Sequence, residues 1–427
     1  MNRGFYTIIA AQFFSSLADN ALLIVSIALL ASTQSPAWMT PMLKLFFVLS
    51  YVVLAPFVGA FADAFPKGRV MFITNLLKVC GCLMMFFNVH PLLAYAVVGF
   101  GAAAYSPAKY GILTELLPAE KLVAANGWIE GLTVLSIIFG TVLGGALVSQ
   151  QFAQSLPDWM APLASFQVNA PIEVALSVVM LSYGLAALFN LKILDTGAHY
   201  PHQEHKPLRL VLDFSHCFIR LWRDRLGQIS LGVTSLFWGA GATLQFIVLK
   251  WAEKALQLPL DKAAILQGVV ALGVAFGAMA AARTIPLKKS LSVMPLGVAM
   301  GLVVLLMTLA HSVWVAYPLL ILVGALSGYF VVPMNALLQH RGHVLMSAGH
   351  SIAVLNFSEN LSILMMLALY ALMVKLNLNV YIVIVLFGLF VAGSMAMIMK
   401  RHAANQREYD SLHLIGEHKH ADADQLG

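Results

Sequence analysis

Residues 4–31 form one almost wholly apolar run with a single carboxylate, Asp19, near its middle. About twenty such residues suffice to cross a hydrocarbon core. An acid at the centre of a span costs roughly 2.5–3.5 kcal/mol on insertion scales, so Asp19 is expected to face a polar cavity or a partner rather than lipid. Gln12, Ser15, Ser16, Asp19 and Ser26 fall at spacings of three, four or seven, which puts them on one helical stripe. This is the pattern of a cavity-lining helix. It is too long to be a signal peptide and carries Asp19 inside its apolar run.

Similar runs recur along the chain. Spans are expected at residues 42–62, 70–87, 92–113, 122–148, 172–194, 227–248, 263–283, 291–310, 316–338, 347–374 and 380–399. With the first run this makes twelve. Of the 427 residues 60% are hydrophobic and only 10% charged, and the mean hydropathy is +0.84. Soluble domains are nearer 25% charged. The fold class expected is all-α and polytopic: an N-terminal six-helix bundle over residues 1–194, a hydrophilic linker over 195–226, a second six-helix bundle over 227–399, and a polar, partly disordered tail over 400–427.

Charge placement orients the chain. With the N-terminus inside, eighteen of the 25 lysines and arginines fall in cytoplasmic segments and five outside, while Lys78 and Lys109 lie within spans. Both termini and the linker are then cytoplasmic. The basic excess therefore reflects orientation and needs no nucleic acid. His199, His202 and His205 repeat at spacing three in the linker, but Pro201 and Pro207 argue against a regular helix there and favour a solvated segment over a metal site. Residues 208–221 can form an amphipathic helix lying on the membrane surface. Cys80, Cys82 and Cys217 offer no disulfide framework and no metal site. No nucleotide loop, zinc helix or nucleophile motif appears, so neither an enzyme nor an ATP-driven pump is expected, and no cofactor.

The turn after the second span reads Gly59-Ala-Phe-Ala-Asp63-Ala-Phe-Pro-Lys67-Gly-Arg69. Gly59 permits close helix contact, Asp63 can cap or pair at a helix end, and Lys67 and Arg69 hold the loop inside. This segment resembles the loop signature of the major facilitator superfamily, and its residues are expected to act in conformational change rather than in substrate binding. A narrower resemblance runs through both halves: Ser15-Ser-Leu-Ala-Asp19-Asn20, Ala-Ala-Tyr105-Ser-Pro-Ala-Lys109-Tyr110-Gly, Phe237-Trp238-Gly-Ala-Gly241, Pro333-Met-Asn335 and Asn356-Phe-Ser-Glu359-Asn360. These are similar to the lysophospholipid transporter (LplT) family. The family pattern carries an arginine on span seven where this chain has Gln245. The resemblance implies movement of lysophospholipids, notably lysophosphatidylethanolamine, across the bacterial inner membrane to the cytoplasmic leaflet. A separate acyltransferase would rebuild the lipid there, and a monomer is the usual superfamily state.

In that superfamily, substrate binds near the midplane between two pseudo-symmetric halves. The polar residues of this chain concentrate on the spans expected to face that region: Asp19, Asn20, Tyr105, Lys109, Asn126, Glu130, Trp238, Gln245, Asn335, Gln339, Asn356, Glu359 and Asn360. Asp19 and Glu359 suit a headgroup amine and Lys109 a phosphate. Other roles are open. Lys109 can pair with Asp19, Glu130 or a helix end. Glu130 and Glu359 can form gate pairs. Trp238 can simply pack. Lys78, alone on span three, is expected to snorkel or pair locally. Buried carboxylates also fit a proton-coupled transporter of small hydrophobic solutes.

Overall fold

With no water in the hydrocarbon core, a lipid-exposed span must satisfy its own backbone groups, so each long apolar run is expected to be helical. The computed structural model describes residues 3–36, 38–155, 170–193, 195–198, 200, 206–258 and 260–416. Its helices are α1 (Arg3–Ser32), α2 (Met39–Val53), α3 (Ala55–Ala64), α4 (Lys67–Phe86), α5 (Pro91–Leu116), α6 (Leu122–Leu147), α7 (Gln150–Ser155), α8 (Ala170–Leu191) and α9 (Pro207–Arg223). They continue with α10 (Gly227–Ala255), α11 (Leu260–Thr284), α12 (Met294–Leu305), α13 (Val313–Leu345), α14 (Ala348–Lys375) and α15 (Val380–Glu408). Among the described residues, eleven helical spans are long and apolar enough to cross a membrane, and the α2–α3 pair makes a twelfth when counted as one span bent by 65°.

The bend is where the structure departs from the straight second span read over 42–62. Pro56 sits in the first turn of α3. It has no N–H, clashes with the carbonyl four residues earlier, and disfavours helix at Ala55. The segment between the spans expected at 122–148 and 172–194 opens with the short α7, and residues 156–169 lie outside the described segments. So do His199, His202 and His205. The tail is more ordered than expected up to Gly416. Helix α15 runs on to Glu408, Ser411 and Ile415 are buried, and the Gly416 N–H donates to His340 Nε2 at 2.9 Å. Arg225 anchors this segment by bonding Glu408 at 3.4 Å and lying 5.2 Å over the Tyr409 ring.

The chain forms two compact units. The first comprises Met1–Ile112 and Leu135–Val211. Its core joins Leu22, Val25 and Leu29 of α1, Cys82 and Met85 of α4, and Leu176, Val179 and Tyr183 of α8. The second comprises Leu113–Val134 and Leu212–Gly427. Its tightest contact is between α11 and α13. Gly273 and Gly277 on α11 face Gly324 and Gly328 on α13, and a Cβ at any of the four would overlap the opposing backbone. Association within lipid depends on van der Waals packing, so small residues four apart let the two backbones touch.

Candidate functional site

Asp19, in the middle of α1, is held by three donated bonds. Lys78 Nζ on α4 reaches Asp19 Oδ1 and Oδ2, each at 2.9 Å, and the Tyr183 hydroxyl on α8 donates to Oδ1 at 2.6 Å. The third proton of Lys78 goes to Ser15 Oγ at 3.1 Å, and Ser15 donates onward to Asn75 Oδ1 at 2.8 Å. The ammonium also lies 5.0 Å from the Tyr105 ring centroid and 5.4 Å from that of Tyr183, within cation–π range. Gly101 on α5 makes room for this lysine, since a Cβ there would come 2.7 Å from Lys78 Cγ.

Lys78 therefore does not snorkel. It is 1% exposed and is the partner that the buried acid required. The lysine that reaches Asp19 is Lys78, not Lys109. A carboxylate offers about four acceptor positions. Lys78 and Tyr183 occupy both on Oδ1, and Lys78 occupies one on Oδ2, leaving one acceptor position on an acid whose side chain is 22% exposed. Further buried polar side chains lie behind the pair. The Tyr105 hydroxyl faces Asn190 and Ser15 without a bond of good geometry, and Asn75 Nδ2 and both amide atoms of fully buried Asn190 have no hydrogen-bond partner among the described side chains.

Asn20 donates to the Ser16 carbonyl at 2.8 Å, one turn back in its own helix. Asn360 on α14 does the same to the Asn356 carbonyl at 2.8 Å. Each asparagine follows an acid, Asp19 or Glu359, and each keeps its side-chain oxygen as an acceptor. Glu359 and Asn356 are buried. Lys109 is buried with its ammonium 4.0 Å from the centroid of the Tyr110 ring. Glu130 is buried on α6, one turn beyond Asn126.

Asn126 and Gln339 are not open to a ligand. Their amides bond reciprocally at 2.8 Å in both directions, which clasps α6 to α13 within the second unit. Gln245 donates to Gln267 Oε1 at 2.9 Å, and Gln267 donates back to the Gln245 carbonyl at 3.1 Å, tying α10 to α11. Trp238 is half-buried and meets Phe237 edge-on at 5.4 Å; Phe237 in turn meets Phe330 of α13 at 5.8 Å.

In the turn between α3 and α4, Lys67 is not a solvated loop charge. It starts α4, is buried, and bonds both Asp63 Oδ1 and the Ala62 carbonyl at 2.7 Å, with the Tyr200 ring 4.8 Å away. Only the short Phe65-Pro66 step separates the two helices, so Asp63 and Lys67 stand one turn apart. Gly59 is buried in α3 and Arg69 is exposed.

The sequence reading missed Lys78, Tyr183, Ser15 and Asn75 as one constellation. A signal was present: one mid-span acid on the first span and one mid-span lysine on the third each needed a partner.

The helical spans, the charged cluster set within them and the Asp63–Lys67 turn are the features of a membrane transporter. The family model of the Major Facilitator Superfamily matches residues 8–366. A transporter called FucP, solved in the outward conformation, superposes with a TM-score of 0.72 at 12% identity, covering 94% of this chain and 98% of that one. A bacterial homologue of the iron transporter ferroportin, in an outward-facing state, gives 0.68 at 14% identity, covering 95% and 99%. These two likenesses show the fold. The lysophospholipid transporter LplT of Yersinia enterocolitica is 44% identical over 382 residues, 89% of each chain. The protein of the same name from Pectobacterium carotovorum is 43% identical over 382 residues, again 89% of each. The chain belongs to the lysophospholipid transporter family of the major facilitator superfamily.

Proposed function

We infer that this chain moves lysophospholipids across a membrane by alternating access, without nucleotide hydrolysis. Its identity to the LplT proteins over most of its length supports this reading. The observation that carries the site is the Asp19 cluster, with one acceptor position open on Oδ2 of a partly exposed acid. In this reading the headgroup ammonium of lysophosphatidylethanolamine donates to Asp19 Oδ2, with the Asn20 side-chain oxygen beside it. Glu359 and Asn360 offer a second acid–amide pair of the same kind. Lys109 meets the phosphate during passage, and the acyl chain runs along apolar helix faces. Asp63, Lys67 and Arg69 act in conformational change.

The membrane is the bacterial inner membrane, with both termini cytoplasmic, and the product goes to the cytoplasmic leaflet. An acyltransferase is the class of enzyme that would consume it, and the transporter acts as a monomer. The test is uptake of labelled lysophosphatidylethanolamine into cells lacking their own transporter. Asp19→Asn should lose most uptake. Unchanged uptake by that variant would sink the headgroup assignment, and no uptake by the folded, inserted wild-type chain would sink lysolipid transport itself.

A further inference from the structure

Helix α9 has three faces, and among the described residues the protein covers one of them. Leu210, Phe214, Cys217 and Leu221 recur at spacings of four, three and four, so they share one face. All are buried or half-buried. Phe214 and its neighbour Phe218 meet Phe357 of α14 edge-on at 5.4 Å and 5.8 Å, and Asp213 bonds His350 of α14 at 3.1 Å.

A second apolar stripe points elsewhere. Leu208, Val211, Leu212, Ile219 and Trp222, at spacings of three, one, seven and three, are all exposed; Leu208 is 73% exposed and Leu212 52%. Between the covered face and this stripe runs a basic edge. Arg209, His216, Arg220 and Arg223, at spacings of seven, four and three, are exposed as well. The only acid in α9 is Asp213, and it is engaged by His350.

We propose that this outward face binds anionic phospholipid: the apolar stripe enters the leaflet on which α9 lies, and Arg220 and Arg223 take the phosphates of its headgroups. Three observations select a lipid surface as the occupant. An apolar face flanked by arginines is the composition of helices that lie in the headgroup plane. Trp222 stands at the end of the stripe, and tryptophan concentrates at that depth. The next membrane span, α10, starts only four residues after α9 ends, which keeps the helix at the interface. The positive-inside orientation makes this the cytoplasmic leaflet, whose anionic lipids attract basic segments. This proposal does not depend on which substrate the transporter carries.

The experiment uses the full-length chain in nanodiscs, with Cys80→Ser, Cys82→Ala and Cys217→Ala, and a nitroxide on Ile219→Cys. One set of discs is phosphatidylcholine alone; the other contains phosphatidylglycerol. With phosphatidylglycerol present, the label should collide with oxygen in preference to a water-soluble nickel chelate. Each arginine near an anionic surface contributes about fivefold to association. Replacing Arg220 and Arg223 by Gln should therefore lower the ratio of immersed to exposed label at least tenfold. These side chains are exposed, so the variant is expected to fold; a label on Leu212→Cys repeats the measurement at a second position. A label equally open to the nickel chelate in both kinds of disc would overturn the proposal. So would immersion that survives the double replacement or is indifferent to phosphatidylglycerol.

Discussion

Lys78→Met removes the cation that holds Asp19. At the observed 2.9 Å and an effective dielectric near 20, the attraction in this pair is about 5–6 kcal/mol before desolvation is subtracted. Desolvating a fully buried ammonium offsets much of that, so the pair as a whole contributes far less to stability. Removing one partner is different, because the other charge keeps its desolvation cost. Breaking a buried pair typically destabilises by 3–5 kcal/mol. Asp19 retains the Tyr183 bond and its side chain is 22% exposed, which places Lys78→Met near the lower end, about 3 kcal/mol. Asp19→Asn strands the ammonium, which is 1% exposed, and should cost at least as much. The double variant Asp19→Asn/Lys78→Met leaves no charge behind. It should be more stable than either single variant, with a coupling of about 2–3 kcal/mol. The assay is thermal unfolding of the purified protein in detergent, with folded yield and lysolipid uptake recorded for all four proteins. Single effects that simply add in the double variant would refute the ion pair as the element holding α1 to α4.

Three further outcomes follow from other contacts. Asn126→Ala leaves the Gln339 amide buried without its partner and should destabilise by about 1–3 kcal/mol; Gln339→Ala should match it, and the double variant should cost little more than either, read by the same melts. Gly328→Leu drives a side chain into the α11 backbone at its closest approach, and should abolish folded protein in size-exclusion chromatography while Gly393→Leu, in open space, does not. The bond from His350 holds the Asp213 carboxyl below its usual range. A depressed carboxylate stabilises above its unfolded pKa near 4 and loses that contribution as pH falls through the folded value. The docking of α9 on α14 should therefore hold at pH 7 and loosen in strong acid, seen as rising mobility of a spin label on Cys217.

Much of the fold was legible because lipid imposes two simple rules. A span needs enough apolar residues to cross the core, and its backbone must satisfy itself. Hence the spans could be placed closely, and the amphipathic pattern of residues 208–221 fell within α9. The bend after Leu54 was legible in principle from Pro56, but a proline inside an apolar run is compatible with either a kink or a straight helix. The extent of α15 past Lys400 was hidden because Arg225, distant in sequence, is what anchors Glu408 and Tyr409. The glycine quartet was visible as two pairs four residues apart, yet nothing in either pair named the other.

The sequence by itself determined that this is a polytopic helical transporter and that Asp19 must have a partner, because a mid-span charge is costly wherever the helix stands. It also placed the chain in its family through motifs in both halves. Only the tertiary structure decided who the partner is. Helical periodicity puts a residue on a face but does not say which helix lies opposite. The packing of α1, α4 and α8 gave Asp19 to Lys78 and Tyr183, and that of α6 on α13 closed the amides of Asn126 and Gln339, 213 residues apart, on each other.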